Sequence, residues 1–218
     1  MACLESWPAR ENAQRSRAVA AEKQPQENLW ATHGVTLMND PAITDLINLA
    51  RRAPSPPGQE LTGASEMEIQ SLENEIGRTL SPGFRQWLSV VNGAMLGPGG
   101  IFGIRNSRDV LSITGYLDLF PEWKSAGWIP IAGDGLGNYW VVVPQGPDGG
   151  PDWVAFVDVH EDPATVDRYF ASSVPRFIEF LLKSELGETR WPADREYDLE
   201  QDPPLSAAPA EKGPWSPR

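Results

Sequence analysis

The sequence of 218 residues contains one cysteine, Cys3, and two histidines, His33 and His160. A single thiol excludes an internal disulfide framework and a cysteine-based zinc site. Two imidazoles leave too few ligands for a multi-histidine metal centre. Basic residues are also scarce: 18 Lys and Arg stand against 30 Asp and Glu, a formal net charge of −12. Such a surface repels phosphate, which argues against a general binder of nucleic acid or of acidic membranes. No apolar run approaches the ~20 residues that span a bilayer. The opening stretch, MACLESWPARENAQRSR, has no apolar core of a secretory leader. What is present is 40% hydrophobic and 9% aromatic residues, enough for a packed core. The expectation is an acidic, soluble protein of the cytoplasm.

Catalytic patterns are missing too. Gly97-Pro98-Gly99-Gly100 is glycine-rich, but no Lys follows and the next segment reads as a strand, so it is no phosphate loop. No Gly-x-Ser-x-Gly elbow presents a nucleophile, and Cys3 has no organised base. Asp134-Gly135-Leu136-Gly137-Asn138 lacks the further acids of a calcium loop and reads as a tight turn between strands. Asp158-Val159-His160-Glu161-Asp162 reads as a solvated acidic loop, because strand alternation sends neighbouring ligands to opposite faces. The chain is expected to be no enzyme and to hold no cofactor or metal.

The chain divides into three by composition. Residues 1–38 follow no sustained period and are expected to be a poorly ordered arm. Met38 is a candidate translation start, with a genuine arm as the alternative. Residues 187–218 carry six prolines and are expected to be a disordered acidic tail. Between them, 39–186 is the expected single domain, with 10 basic and 19 acidic residues, so the acidity belongs to the folded part.

Within it, Asp40 and Pro41 are expected to open a first helix with Ile43, Leu46, Ile47 and Ala50 on one face. Ser65 and Glu68 form a capping box for a second, whose stripe is Ile69, Leu72 and Ile76, with Gly77 as its left-handed end. Ser81-Pro82 opens a third, with Phe84, Trp87, Leu88 and Val91 at helical spacing and Asn92-Gly93 as its stop. Short β-branched and aromatic runs follow at 101–104, 128–132, 139–143 and 153–159, and the 144–152 stretch reads as a hairpin loop. A last helix starts near Ser173, with Phe177, Ile178, Leu181 and Leu182 buried. Helices, then strands, then a closing helix give an α+β fold, with helices on one face of a mostly antiparallel sheet.

The order and spacing of these pieces carry a resemblance. They are the Leu61–Ile69 entry to the second helix, Leu72-Glu73, Ile76-Gly77, Leu80-Ser81-Pro82, Phe84, Trp87-Leu88 and Val91-Asn92-Gly93. Trp128-Ile129-Pro130-Ile131-Ala132, the Asp134–Asn138 turn and Tyr139-Trp140-Val141-Val142 follow. Over roughly Leu61–Leu186 the chain resembles the SUKH superfamily. That group joins the yeast Smi/Knr-type regulators of cell-wall synthesis with bacterial immunity proteins against polymorphic toxins. Gly137-Asn138 stands where the family commonly has Gly-Asp, which weakens any charged site there. The matching positions Gly63, Ser65, Glu68, Pro82, Trp87, Asn92, Gly93, Trp128, Pro130, Gly135 and Gly137 read as structural, Trp87 and Trp128 as core aromatics.

The resemblance implies a SUKH-like fold and a non-enzymatic protein binder. Its first implied role is a bacterial immunity protein that neutralises a cognate nuclease- or deaminase-type toxin; a regulatory or scaffold module of the yeast type is the second. The acids least explained by local structure are Asp118, Glu122, Asp134, Asp152, Asp158, Glu161 and Asp162. They are the candidate surface for a basic protein partner.

Overall fold

A computed structural model describes residues 40–105 and 108–216. The expected arm at 1–38 lies outside the described residues. The chain begins with α1 (Ile43–Arg52), α2 (Glu66–Ile76) and α3 (Pro82–Leu88). Asp40 does not cap α1: Ala42 holds the N-cap position without a side-chain bond, and Asp40 instead accepts from the Ser173 hydroxyl. The α2 capping box forms as its sequence requires. Ser65 Oγ accepts from Glu68 N, and Glu68 Oε2 accepts from Ser65 N at 2.7 Å. The Ser65 hydroxyl, donating to Glu68 Oε2 at 2.6 Å, and then the Ser65 N–H hold the Glu68 carboxyl below its usual range. Gly77 closes α2 at φ +70. Ser81 caps α3, and its end is fixed by Asn92, whose amide brackets Ile104, donating to its carbonyl and accepting from its N–H.

The expected strand at 101–104 is not one. Ile101 makes isolated bridges to Ala94 and Ala132, and the segment runs along the sheet's edge. Glycines at its limits prevent a regular strand: Gly100 has φ +83, and a Cβ on Gly103 would lie 2.3 Å from Asn92 C. Two short helices follow that the sequence reading did not anticipate, α4 (Ile113–Leu119), capped by Ser112, and α5 (Pro121–Ala126).

The sheet is an antiparallel meander of β1 (Ile129–Gly133), β2 (Tyr139–Val143), β3 (Trp153–Val157) and β4 (Arg168–Ala171), in that order. Tyr139 pairs with Val157 at one end and Val143 with Trp153 at the other. Every residue of β1 and β3 is buried, so both faces are covered. Alternation explains how. Trp140 packs against Phe177 of α6 (Val174–Glu185), while Tyr139, on the opposite face, packs against Trp123 of α5. Helices thus lie on both faces, not on one. The α+β class and the mostly antiparallel sheet are as expected. Fully buried Trp87, Trp123, Trp153, Phe84, Phe102, Phe177 and Phe180 anchor the core; Trp128 is only partly buried against it.

Residues 187–216 correct the expectation of a disordered tail. They hold α7 (Arg195–Gln201) and two 3-10 turns, Pro203–Ala207 and Ala210–Lys212. Trp191 is buried between Phe170, Phe177 and Phe180, and Leu205 is fully buried. Two of the prolines occupy positions where a missing N–H costs little: Pro203 opens the first turn and Pro209 caps the second. The segment also reaches the outer side of β4. Asp202 accepts from Ser172 N at 2.8 Å, and Lys212 Nζ donates to Val166 O at 3.0 Å.

Candidate protein-binding surface

The turn after β1 is built by one carboxylate. Asp134 Oδ1 accepts from the N–H groups of Leu136 (2.7 Å) and Asn138 (2.9 Å), and Oδ2 accepts from Asn138 Nδ2 (3.0 Å). Gly135 at φ +76 and Gly137 at φ +100 supply backbone that other residues rarely adopt. A Cβ on Gly135 would lie 2.7 Å from Pro98 O, and one on Gly137 would lie 3.3 Å from His160 Nε2. The turn is therefore wedged between the 97–100 loop and the β3–β4 loop.

The β3–β4 loop holds itself in the same way. Asp158 accepts from His160 N at 3.0 Å; Asp162 accepts from Thr165 Oγ1 at 2.6 Å and Ala164 N at 2.9 Å. The Thr165 hydroxyl, then the Ala164 N–H, holds the Asp162 carboxyl below its usual range. Glu161 is exposed beside them. Trp123 Nε1 donates to Pro163 O at 2.6 Å, which fastens α5 to this loop. Asp118 on α4 is exposed and Glu122 on α5, one residue before Trp123, is half-exposed. An aromatic cluster lies beneath. Tyr116 and Tyr139 have ring centroids 4.8 Å apart, Phe120 and Trp123 stack at 4.2 Å, and Tyr116 donates from its hydroxyl to Val110 O at 3.2 Å. Burial first, then Tyr116 and the Asp134 charge, push the Tyr139 hydroxyl up to about 12. It stays neutral and serves as a packing group.

Six of the seven candidate acids thus belong to segments that meet at one end: Asp118, Glu122, Asp134, Asp158, Glu161 and Asp162. Asp152 does not. It adjoins β3 at the opposite end, where it is buried, pairs with Arg78 Nη1 at 2.5 Å and accepts from Ser81 N at 2.7 Å. It also sits at φ +59. A loop aspartate between glycines and prolines looked solvated in sequence; the cation that claims it is 74 residues away. It is a structural ion pair, not surface.

Among the six, Asp134, Asp158 and Asp162 are spent on turns. Among the described residues, no hydrogen bond or ion pair engages the carboxylates of Asp118, Glu122 or Glu161. Two features escaped the sequence reading. Leu136 is exposed at the tip of the Asp134 turn, where a residue flanked by glycines carries no periodic signal. Glu73 is buried on α2, pairing with Arg85 Nη1 at 2.5 Å and accepting from Leu80 N.

A Cβ on Gly63 would fall 1.8 Å from Ser89 O. Pro82 sits in the first turn of α3, Pro130 is buried in β1 and Gly93 adopts φ +78. Among the described residues no group of three or more His, Cys, Asp or Glu is placed to hold a metal ion. No described helix is long and apolar enough to cross a membrane. The carboxyls that burial pushes up, Asp198 to about 6 and Asp202, lie in the C-terminal segment and bond to Trp215 and Ser172, so they serve the fold.

A comparison with curated proteins finds no match. The model of the SMI1 / KNR4 family (SUKH-1) matches residues 63–183. The matched stretch starts at the glycine under Ser89 and runs through the capping box, Asn92, the β1–β2 turn and the four-stranded meander into α6, more than half of the chain. With its helices and antiparallel sheet assembled in that order, the chain belongs to the SMI1 / KNR4 family (SUKH-1).

Proposed function

We propose that this chain is an immunity protein that binds and inactivates a cognate toxin domain of nuclease or deaminase type, using the acidic end of its sheet. Membership of the SMI1 / KNR4 family supports a protein-binding domain rather than a catalyst. The observation that carries the reading is Asp118, Glu122 and Glu161: three carboxylates on segments that meet at one end, none engaged inside the described fold. A toxin that acts on nucleic acid presents a basic face to its substrate. An acidic inhibitor occupies that face by charge complementarity and is steered to it over long range. The partner is then a basic protein, and neither nucleic acid nor membrane is bound directly.

The test is the association rate with the polypeptide encoded by the adjacent reading frame, measured at low and high salt. Screening shrinks the Debye length to about 8 Å near 0.15 M, so the wild-type rate should fall as salt rises. Asp118→Lys, Glu122→Lys and Glu161→Lys combined should slow association at low salt while leaving the melting temperature within a few degrees of wild type. A rate indifferent to both salt and charge reversal overturns the electrostatic reading. A wild-type chain that does not bind that polypeptide at all overturns the immunity reading.

A further inference from the structure

Five large hydrophobic side chains are exposed among the described residues: Met67, Met95, Val110, Leu119 and Leu136. Scattered singly they need no explanation. They are not scattered. Met95, Val110, Leu119 and Leu136 belong to segments locked together at the acidic end, and only Met67, on α2, lies elsewhere. The locks are specific. Ala94 and Ile101 bridge the strand-like stretch that contains Met95, and Gly133 N donates to Gly100 O at 3.1 Å. Gly103 N donates to Leu111 O at 2.8 Å, which brings Val110 alongside. Tyr116 donates to Val110 O and packs at a tilt against Tyr139, two residues past the turn's glycine at 137. Leu119 ends the helix that carries Tyr116.

Leu136 is the most exposed of the five at 81%. Its turn is also the best fastened: four hydrogen bonds close it, three to Asp134 side-chain oxygens and one from Asp134 N to Asn138 O. Pro98 and His160 crowd it on both sides. A leucine held in water on a rigid tip has already given up most of the backbone freedom that binding would remove. Desolvating a side chain of this size favours the complex enough for it to act as an anchor. The segments that meet at this end carry Asp118, Glu122, Asp134, Asp158, Glu161 and Asp162. The cations of the same segments include Arg105, which is taken by Asp109, Lys124, taken by Glu75, and Arg108, which is also engaged.

We propose that Leu136 is the central anchor of the partner interface, inserting into an apolar pocket on a basic protein whose Lys and Arg residues ring that pocket and meet the carboxylates of this end. This rests on the immunity reading above and adds the residue that sets the lifetime of the complex. Charge and anchor divide the kinetics between them: the acids govern association, Leu136 governs dissociation.

The experiment compares wild type, Leu136→Ser and Met67→Ser against the polypeptide of the adjacent reading frame, by surface-immobilised kinetics at two salt concentrations. Met67 is the control because it is equally exposed, at 80%, and lies on α2. Leu136→Ser should raise the dissociation rate at least 10-fold, change the association rate less than 3-fold, and keep the salt dependence of wild type. Met67→Ser should match wild type. A Leu136→Ser dissociation rate within 2-fold of wild type, with binding intact, overturns the anchor and leaves the immunity reading standing. The same acceleration by Met67→Ser overturns it as well, because the effect would then be general. Absence of wild-type binding removes the immunity reading and the anchor with it. Both positions are exposed, so unchanged melting curves are expected and confirm that the variants fold.

Discussion

At the scale of single residues, the contrast between Asp152 and Glu161 separates fold from function. Both are acids in loops between strands. Asp152 is buried against Arg78 and the N–H of Ser81, and ties the β2–β3 loop to the start of α3. The Glu161 carboxylate makes no hydrogen bond or ion pair among the described residues. Removing one member of a buried ion pair leaves the other charge uncompensated, at a cost of about 3–5 kcal/mol. Asp152→Ala should therefore lower the unfolding free energy by an amount near the lower end of that range, since Arg78 keeps some access to water. It should leave partner association unchanged. Chemical denaturation followed by tryptophan fluorescence, together with the association rate, checks both halves. A variant that binds more slowly and unfolds as wild type would return Asp152 to the binding surface. Nothing in the local sequence distinguishes these two acids, because what differs is a cation far away along the chain.

At the scale of elements, legibility followed length and local chemistry. The α2 helix was readable because its cap, stripe and terminal glycine lie within 13 residues of one another and satisfy each other. The β2 and β3 strands were readable from continuous aromatic and β-branched runs. By contrast α4 and α5, of 7 and 6 residues, are too short to complete a periodic stripe, and α5 owes its place to Trp123 reaching Pro163. The β4 strand begins with Arg168 and Tyr169, and it exists because β3 pairs with it. The α7 helix was masked by proline density around it, and its identity rests on tertiary contacts. Asp198 on α7 is buried, with Oδ2 accepting from Trp215 Nε1 and Oδ1 lacking a described partner. Burial pushes its carboxyl up to about 6, and Asp194 and Asp202 add to the rise. A folded pKa above the unfolded value means that the stabilising contribution is complete at low pH and is lost as pH climbs through about 6. Asp198→Asn keeps an acceptor for Trp215 and carries no charge. Its melting temperature, relative to wild type, should rise steadily between pH 4 and pH 7. A difference that does not vary over that interval would show that Asp198 does not titrate there.

At the scale of the whole molecule, the family match and the folded body have different limits. The match ends at 183, within α6, whereas Trp191 and Leu205 are buried beyond it. The α+β class and sheet were legible because they depend on the pattern inside the matched region. The extent of the body was not, since proline-rich sequence is compatible with both a loose tail and a closely packed one, and only the aromatic socket of Phe170, Phe177 and Phe180 decides. The acidic end was legible as a set of residues but not as a place, because convergence of three loops is a property of topology. Shortening the chain after Gly187 should reveal this difference. Loss of the buried Trp191 alone costs about 3–5 kcal/mol by comparison with other large core deletions. The shortened chain should melt well below the full one while still showing the far-ultraviolet signature of mixed helix and sheet. A full-length melting temperature would mean that residues 188–216 contribute nothing to stability.

The two flanks of the meander bear on colloidal behaviour. A strand at the border of a sheet offers unpaired N–H and C=O groups to any other chain, and such borders template aggregation. Here the β1 border is occupied by the 101–103 stretch, with Phe102 N donating to Ile131 O at 2.7 Å. The β4 border is flanked by Asp202 on Ser172 N and by Lys212 on Val166 O. The polypeptide shortened after Gly187 keeps the first guard and loses the second. Its particle size, followed by light scattering at rising concentration, should grow where that of the full chain stays constant, as neighbouring molecules add strands to β4.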